Sequence, residues 1–184
     1  MSKFFILTFF TILIPFISIA QKETDNLNEK DITQIIELKN QFENALEKYY
    51  PNLNLIDAYG QYLSDLENRT INPNILREQK SQEILKGFKK SSTFKKIWIE
   101  NKKTPNQKSH LIDYDGDFYN YLINNTDNED VKKGYIEFKK IPNINPALLA
   151  SALNMYLKES DYKQNVNQIS ILILFYYDII IQFI

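Results

Sequence analysis

The sequence predicts an all-α fold, a single helical, bundle-like domain of five or six helices with an apolar C-terminal helix in its core. Three observations predict it. Only 4 glycines and 6 prolines occur among 184 residues, so the chain has few sites for sharp turns and favours long helices. Apolar residues recur three and four positions apart along most of the chain, which is the spacing of one helix face. The final segment, 169–184, is almost wholly apolar and requires cover from the rest of the protein.

The segment 1–20 has the pattern of a secretory signal peptide. Lys3 precedes an apolar run, and the small residues Ser18 and Ala20 stand where signal peptidase requires them. The run is shorter than the roughly 20 residues that a helix needs to cross a bilayer. We therefore expect cleavage after Ala20 and a periplasmic or extracellular protein. An uncleaved N-terminal anchor is the alternative.

The mature chain is predicted to begin with a polar, disordered lead, 21–30, so that the helical domain covers 31–184. Asp31 followed by Gln34 resembles a capping box, and the first helix is expected to begin there. Pro51 is expected to end it and to lead into an antiparallel helical hairpin.

Asparagine marks the predicted starts of three further helices. Asn54 is followed by Asp57, which gives a cap and an acidic first turn. Asn72 and Asn145 are each followed by proline, whose missing N–H costs nothing at the first helical position. The helix that starts after Asn72 is predicted to extend to about Phe88, because its apolar positions keep helical spacing that far.

Shorter elements are predicted in the middle of the chain. Phe94 and Trp98 belong to a further short helical segment, and a loop spans 102–109. Asp117 is expected to cap another short helix. Residues 134–141 alternate weakly between apolar and polar, so the pattern leaves both a strand and a helical turn open.

The C-terminal segment 169–184 is interpreted as a central helix. Ser170, Asp178 and Gln182 are its clearly polar residues, and as a helix it is about 24 Å long, shorter than a bilayer core of about 30 Å. Asp178 near its middle would cost about 3 kcal/mol on membrane insertion. No transmembrane span is therefore expected after signal cleavage. The isoleucine content also permits a buried strand, and a partner-binding or membrane-surface tail is the third alternative.

Composition excludes several classes of function. The chain has no cysteine and one histidine, which excludes disulfide frameworks, thiolate zinc sites and cysteine nucleophiles. With 22 basic and 23 acidic residues the formal charge is −1, so no overall electropositive surface for nucleic acid is predicted.

Charge is nevertheless uneven along the chain. Basic residues outnumber acidic ones strongly between Arg77 and Lys108, and the segment 109–131 that follows is acidic. The predicted basic face could bind an anionic partner, and an aromatic side chain within it could stack on a sugar. The alternative is a solvated helix face that the acidic segment partly neutralises. The candidate binding residues are Lys86, Lys89, Lys90, Lys95, Lys96 and Trp98.

Asp113, Asp115 and Asp117 are the candidate metal ligands. Three carboxylates at alternate positions offer the hard oxygen ligands that Ca²⁺ takes. Gly116 is fourth from the first aspartate, however, where an EF-hand has its glycine sixth, and Asp-Gly is also an ordinary turn. His110 with Asp113 could serve as an acid/base pair, but no nucleophile spacing supports one.

These observations together predict an exported, non-catalytic helical protein that binds another component of the cell envelope. The partner would be a protein or an anionic envelope component, with no nucleic acid and no cofactor. The alternative is an envelope hydrolase in which the carboxylates of residues 113–117 bind a metal or act as acid and base.

Overall fold

A computed structural model gives the structure of the protein and describes residues 27–101, 109–141 and 144–184. This part of the chain is mostly helical and contains one small two-stranded sheet. The predicted signal peptide, most of the predicted polar lead and nearly all of the predicted 102–109 loop lie outside the described residues.

The elements follow one another along the chain with short connections. The first helices are α1 (Glu29–Tyr49), α2 (Leu55–Asn68), the single turn α3 (Pro73–Leu76) and α4 (Gln79–Phe88). The strands β1 (Trp98–Glu100) and β2 (His110–Ile112) come next, and then the helices α5 (Asp117–Asn125), α6 (Glu129–Phe138) and α7 (Pro146–Asn154). A continuous C-terminal helix, Asn165–Phe183, completes the described chain.

The first helix begins earlier than predicted. Asn28 is its N-cap, and its side chain accepts a hydrogen bond of 3.0 Å from the backbone N–H of Asp31. Asp31 in turn accepts one of 2.9 Å from the N–H of Asn28, which completes a capping box. The box therefore lies three residues before the predicted pair of Asp31 and Gln34. Leu27 is buried, so the helical domain reaches into the segment that was predicted to be a disordered lead.

The predicted asparagine caps are confirmed. The side chains of Asn54, Asn72 and Asn145 each accept a hydrogen bond from a backbone N–H of the following helix. The helix predicted to follow Asn72 without interruption is instead two, because the backbone is extended at Glu78. The Glu78 carboxylate accepts hydrogen bonds from α1, including one of 3.0 Å from Lys48 Nζ, so a tertiary contact holds the break.

The sheet is the main departure from the predicted helices. The segment of Phe94 and Trp98 is a single 3-10 turn followed by β1, which pairs antiparallel with β2. Trp98 lies opposite Ile112 and Glu100 opposite His110. Aromatic and β-branched residues favour a strand, and a strand forms here because a partner strand comes from a later part of the chain. The ambiguous segment 134–141 is helical through Phe138 and ends in a turn.

The C-terminal helix lies in the core, as predicted. It contacts α1, α2, α5, α7 and β2, and every side chain of the segment 166–178 is buried. The segment Leu172–Tyr177 is π-helical. This helix is long and apolar enough to cross a membrane, but 83% of its most apolar stretch is buried inside the protein, as in a core helix.

Buried tyrosines anchor the C-terminal helix to its neighbours. Tyr62 of α2 donates a hydrogen bond of 2.9 Å to the carbonyl of Phe175. Tyr177 donates one of 3.1 Å to the carbonyl of Leu38 in α1, and Tyr135 of α6 donates one of 2.7 Å to Ser170. The high aromatic content is thus used mainly in the core, where each hydroxyl needs a partner.

Candidate functional site

We define the basic face as four lysines that lie close together in the sequence: Lys86, Lys89, Lys90 and Lys95. The first three lie in and just after the last turn of α4, and the fourth lies in the 3-10 turn before β1. All are exposed except Lys89, which is half-buried. Within the described chain, none of these four lysines forms an ion pair with a carboxylate. Their charges are therefore available to a partner.

Lys96 does not belong to this face, contrary to the prediction. Its Nζ lies 2.8 Å from Asp31 Oδ2 and 4.0 Å from Asp117 Oδ2. Asp31 is almost fully buried and also accepts a hydrogen bond of 2.6 Å from the hydroxyl of Thr93. Burial raises the pKa of Asp31, but hydrogen bonds from Lys96 and Thr93 outweigh it, and the net shift is downward. The lysine therefore holds the start of α1 against the 3-10 turn.

Trp98 is also misassigned by the prediction. Its side chain is only 2% exposed, so it cannot stack on a ligand at the surface. Its ring is stacked on Phe94 with centroids 5.1 Å apart, and its Nε1–H donates a hydrogen bond of 3.2 Å to Asp178 Oδ1. The tryptophan is a core residue that joins β1 to the C-terminal helix.

His110 lies beside the basic face. Its ring contacts the edge of Phe94, with centroids 5.4 Å apart, and its Nδ1 is 3.0 Å from the hydroxyl of Ser109. Burial, and then the positive charge of Lys89, lower the pKa of His110 below its ordinary value. Within the described residues His110 makes no hydrogen bond to Asp113, the residue considered as its acid/base partner.

The three aspartates of the predicted metal loop serve separate partners. Asp113 Oδ1 accepts a hydrogen bond of 3.2 Å from the N–H of Asp115, which closes the turn before α5. The Asp115 carboxylate lies 3.3 Å from Lys139 Nζ, and Asp117 faces Lys96. Across the ranges that the structure describes, no three His, Asp or Glu side chains come together in a group that could hold a metal ion.

An apolar cavity of about 250 Å³ lies between the β-hairpin, the start of α7 and the C-terminal helix. Its walls are mainly the side chains of Ile99, Leu111, Ile144, Leu149 and Leu174. Two polar residues, Tyr114 and the buried Asp178, also belong to this lining. The ion pair between the exposed Asp115 and the half-buried Lys139 also belongs to the lining.

Sequence reasoning missed this cavity. Its lining comes from residues 99 to 178, and no local spacing relates them. The available signals were a tyrosine in the aspartate turn and an aspartate in the middle of the apolar C-terminal segment. An acidic residue within so apolar a helix indicates a specific hydrogen-bond partner, but its position along the chain does not name that partner.

No protein family, no curated protein and no solved structure matches this chain.

Proposed function

We propose that the protein is an exported, non-catalytic binding protein whose basic face contacts an anionic component of the cell envelope. A helical bundle would be the rigid scaffold that presents this face. The single observation that supports the proposal most is that, among the described residues, these four lysines of α4 and the 3-10 turn have no ion-pair partner.

The helix dipole explains the positions of three of the four lysines and leaves the fourth unexplained. Cations near a helix C-terminus interact favourably with the helix dipole, typically by about 0.3–1 kcal/mol each, which accounts for Lys86, Lys89 and Lys90. Lys95 belongs to a different element, so this effect does not explain its place. Within the described chain the four charges have no ion-pair partner, and positive charges of this kind raise the local potential and favour binding of an extended anion.

We commit to an acidic polysaccharide as the anionic partner. A protein that lies on a lipid surface usually inserts apolar side chains among the headgroups. In the described chain, the segment 77–97 that carries the basic face has no exposed large apolar side chain. Lysine also binds as a point charge, and it therefore suits a polymer with spaced carboxylates more than a single phosphate that needs a fork of donors.

The test compares two variants with equal loss of charge. In the first, Lys86, Lys89, Lys90 and Lys95 become Gln; in the control, the same change is made at Lys132, Lys133, Lys140 and Lys158. Binding to alginate is measured at low and physiological salt. If each contact contributes about 0.4 kcal/mol, the first variant should bind about 15-fold more weakly. The control should bind nearly as the wild type does, and added salt should weaken all binding.

Three outcomes would contradict the proposal. Equal losses in the two variants would show that overall charge, and not the basic face, binds the polymer. Binding to vesicles that contain phosphatidylglycerol, without binding to alginate, would replace the polysaccharide with a lipid surface. No binding to either would remove the basic face as a site.

Export is a separate part of the proposal. Its support is the order of a lysine, an apolar run and small residues within 1–20. The mature protein in the native host is expected to begin at Gln21, which mass spectrometry would establish. The envelope hydrolase with carboxylates at 113–117 stays a prediction, since no observation in the described chain favours it.

A further inference from the structure

We propose that the apolar cavity is a binding site for a small uncharged molecule with a hydrocarbon or aromatic body and one hydroxyl group. The cavity is separate from the basic face, so this inference does not rest on the proposed function.

The walls determine the body of the ligand. Leu149 and Leu174 are each less than 5% exposed, and Ile99 and Ile144 complete an apolar lining. The volume of about 250 Å³ is enough for several water molecules. Replacement of water beside the apolar part of the lining by a hydrocarbon is favourable.

The polar groups determine the head group. Within the described chain the Tyr114 hydroxyl has no hydrogen-bond partner, and burial, followed by the Asp178 charge, raises its pKa to about 12. It therefore stays a donor at neutral pH. The Asp178 carboxylate accepts a hydrogen bond from Trp98. A hydroxyl group on a ligand could accept a hydrogen bond from Tyr114.

A charged head group fits less well. Among the described lining residues an anion would meet Asp178 and Asp113, while Lys139 is already paired with Asp115. The same carboxylates would attract an ammonium group, but Asp178 already accepts from Trp98 and Asp113 from the N–H of Asp115. The ammonium group would also have to leave water for a lining that is largely hydrocarbon, at a cost that a neutral hydroxyl does not carry.

The helix geometry agrees with a site at this position. Leu174 lies within the π-helical segment Leu172–Tyr177, and Asp178 is the first residue after this segment. Such segments occur frequently at functional sites, because the wider turn changes the direction of the side chains around it.

The experiment uses three probes with the same hydrocarbon chain: 1-hexanol, hexylammonium and hexanoate. Each is titrated into the ¹⁵N-labelled protein and followed by NMR. Hexanol is expected to saturate in the millimolar range and to shift the amide signals of Leu111, Tyr114 and Leu149. Each charged probe should bind at least about tenfold more weakly, because its charge loses hydration in the cavity.

Two variants locate the site. Ile99→Trp places a large side chain at the partly exposed edge of the cavity and should weaken hexanol binding at least about tenfold, since the volume is filled. Ile136→Trp is the matched control on α6, outside the lining, and should bind as the wild type does. Tyr114→Phe removes only a hydroxyl and should reduce the preference for hexanol over hexylammonium.

Several results would overturn the inference. These are no saturation up to the solubility limit of hexanol, equal binding of the three probes, tightest binding of a charged probe, or equal effects of the two tryptophan variants. If Ile99→Trp fails to fold, the inference is tested by the preference of Tyr114→Phe for hexanol over hexylammonium. A preference equal to that of the wild type would overturn the assigned head group.

Discussion

At the scale of single residues, the same residue type has different roles according to its surroundings. Lys95 and Lys96 are neighbours in one 3-10 turn. Lys95 is exposed and belongs to the basic face, whereas Lys96 is held 2.8 Å from a buried carboxylate. A substitution that tests the basic face must therefore leave Lys96 in place, because its loss would change stability as well as charge.

The single histidine gives a local measure of the basic face. Lys89 is the largest charge effect that lowers the pKa of His110, so Lys89→Gln should raise that pKa. A polyanion bound to the basic face should raise it as well, because it screens the same charge. The ring signals of His110 in a pH titration by NMR measure both shifts. Lys133→Gln, which removes a charge from α6, is the control and should leave the pKa of His110 unchanged.

A lower pKa in the folded state also fixes the pH dependence of stability. The folded protein binds its His110 proton less readily than the unfolded chain does, so stability attributable to this residue rises with pH. The change falls between the lowered folded pKa and the ordinary value near 6.5. A lack of shift in the Lys89→Gln titration would contradict the placement of Lys89 beside the ring.

At the scale of elements, tyrosine hydroxyls fix the C-terminal helix in register with its neighbours. Tyr62→Phe would remove the bond of 2.9 Å to the Phe175 carbonyl and should lower the free energy of unfolding by about 1–2 kcal/mol. Tyr114→Phe deletes the same atom where the described chain offers it no partner, and should change stability by less than about 0.5 kcal/mol. Denaturant unfolding of both variants measures the difference. Equal losses would show that the buried hydrogen bond adds nothing specific.

At the scale of the whole molecule, the contact between Lys96 and Asp31 links residues 65 positions apart. Lys96→Met would leave Asp31 buried without its cation. The expected loss at neutral pH is about 2–3 kcal/mol, below the usual cost of a broken buried pair because Lys96 is about a quarter exposed. Lys95→Met, one residue earlier, is the control and should cost less than about 0.5 kcal/mol.

Low pH should reduce the loss of unfolding free energy that Lys96→Met causes. Because the folded pKa of Asp31 is lowered, its contribution to stability is present above the ordinary value of 3.8 and is lost as pH falls through the folded pKa. The gap in unfolding free energy between the wild type and Lys96→Met should therefore narrow below pH 3.8 in a series of denaturation curves. A gap that stays constant with pH would contradict an ionic role for Lys96.

Prediction from sequence succeeded where the cause is local. Asparagine followed by proline determines a helix start at Asn72 and at Asn145, because the cap and the fixed φ act within one turn. It failed at Trp98, whose strand depends on a partner that begins at His110, and at Lys96, whose carboxylate partner lies in α1. Both errors concern contacts between residues that are distant in the chain.

The amino-acid sequence by itself determined a mostly helical protein and the burial of its apolar C-terminal segment, since helical spacing and hydrophobicity act without knowledge of the partners. Tertiary structure alone decided which of six candidate residues remain exposed for a ligand. It also decided that Tyr114, Leu149, Leu174 and Asp178 line one cavity. The physical reason is that exposure and proximity are properties of packed elements, and the spacing of residues along a chain does not contain them.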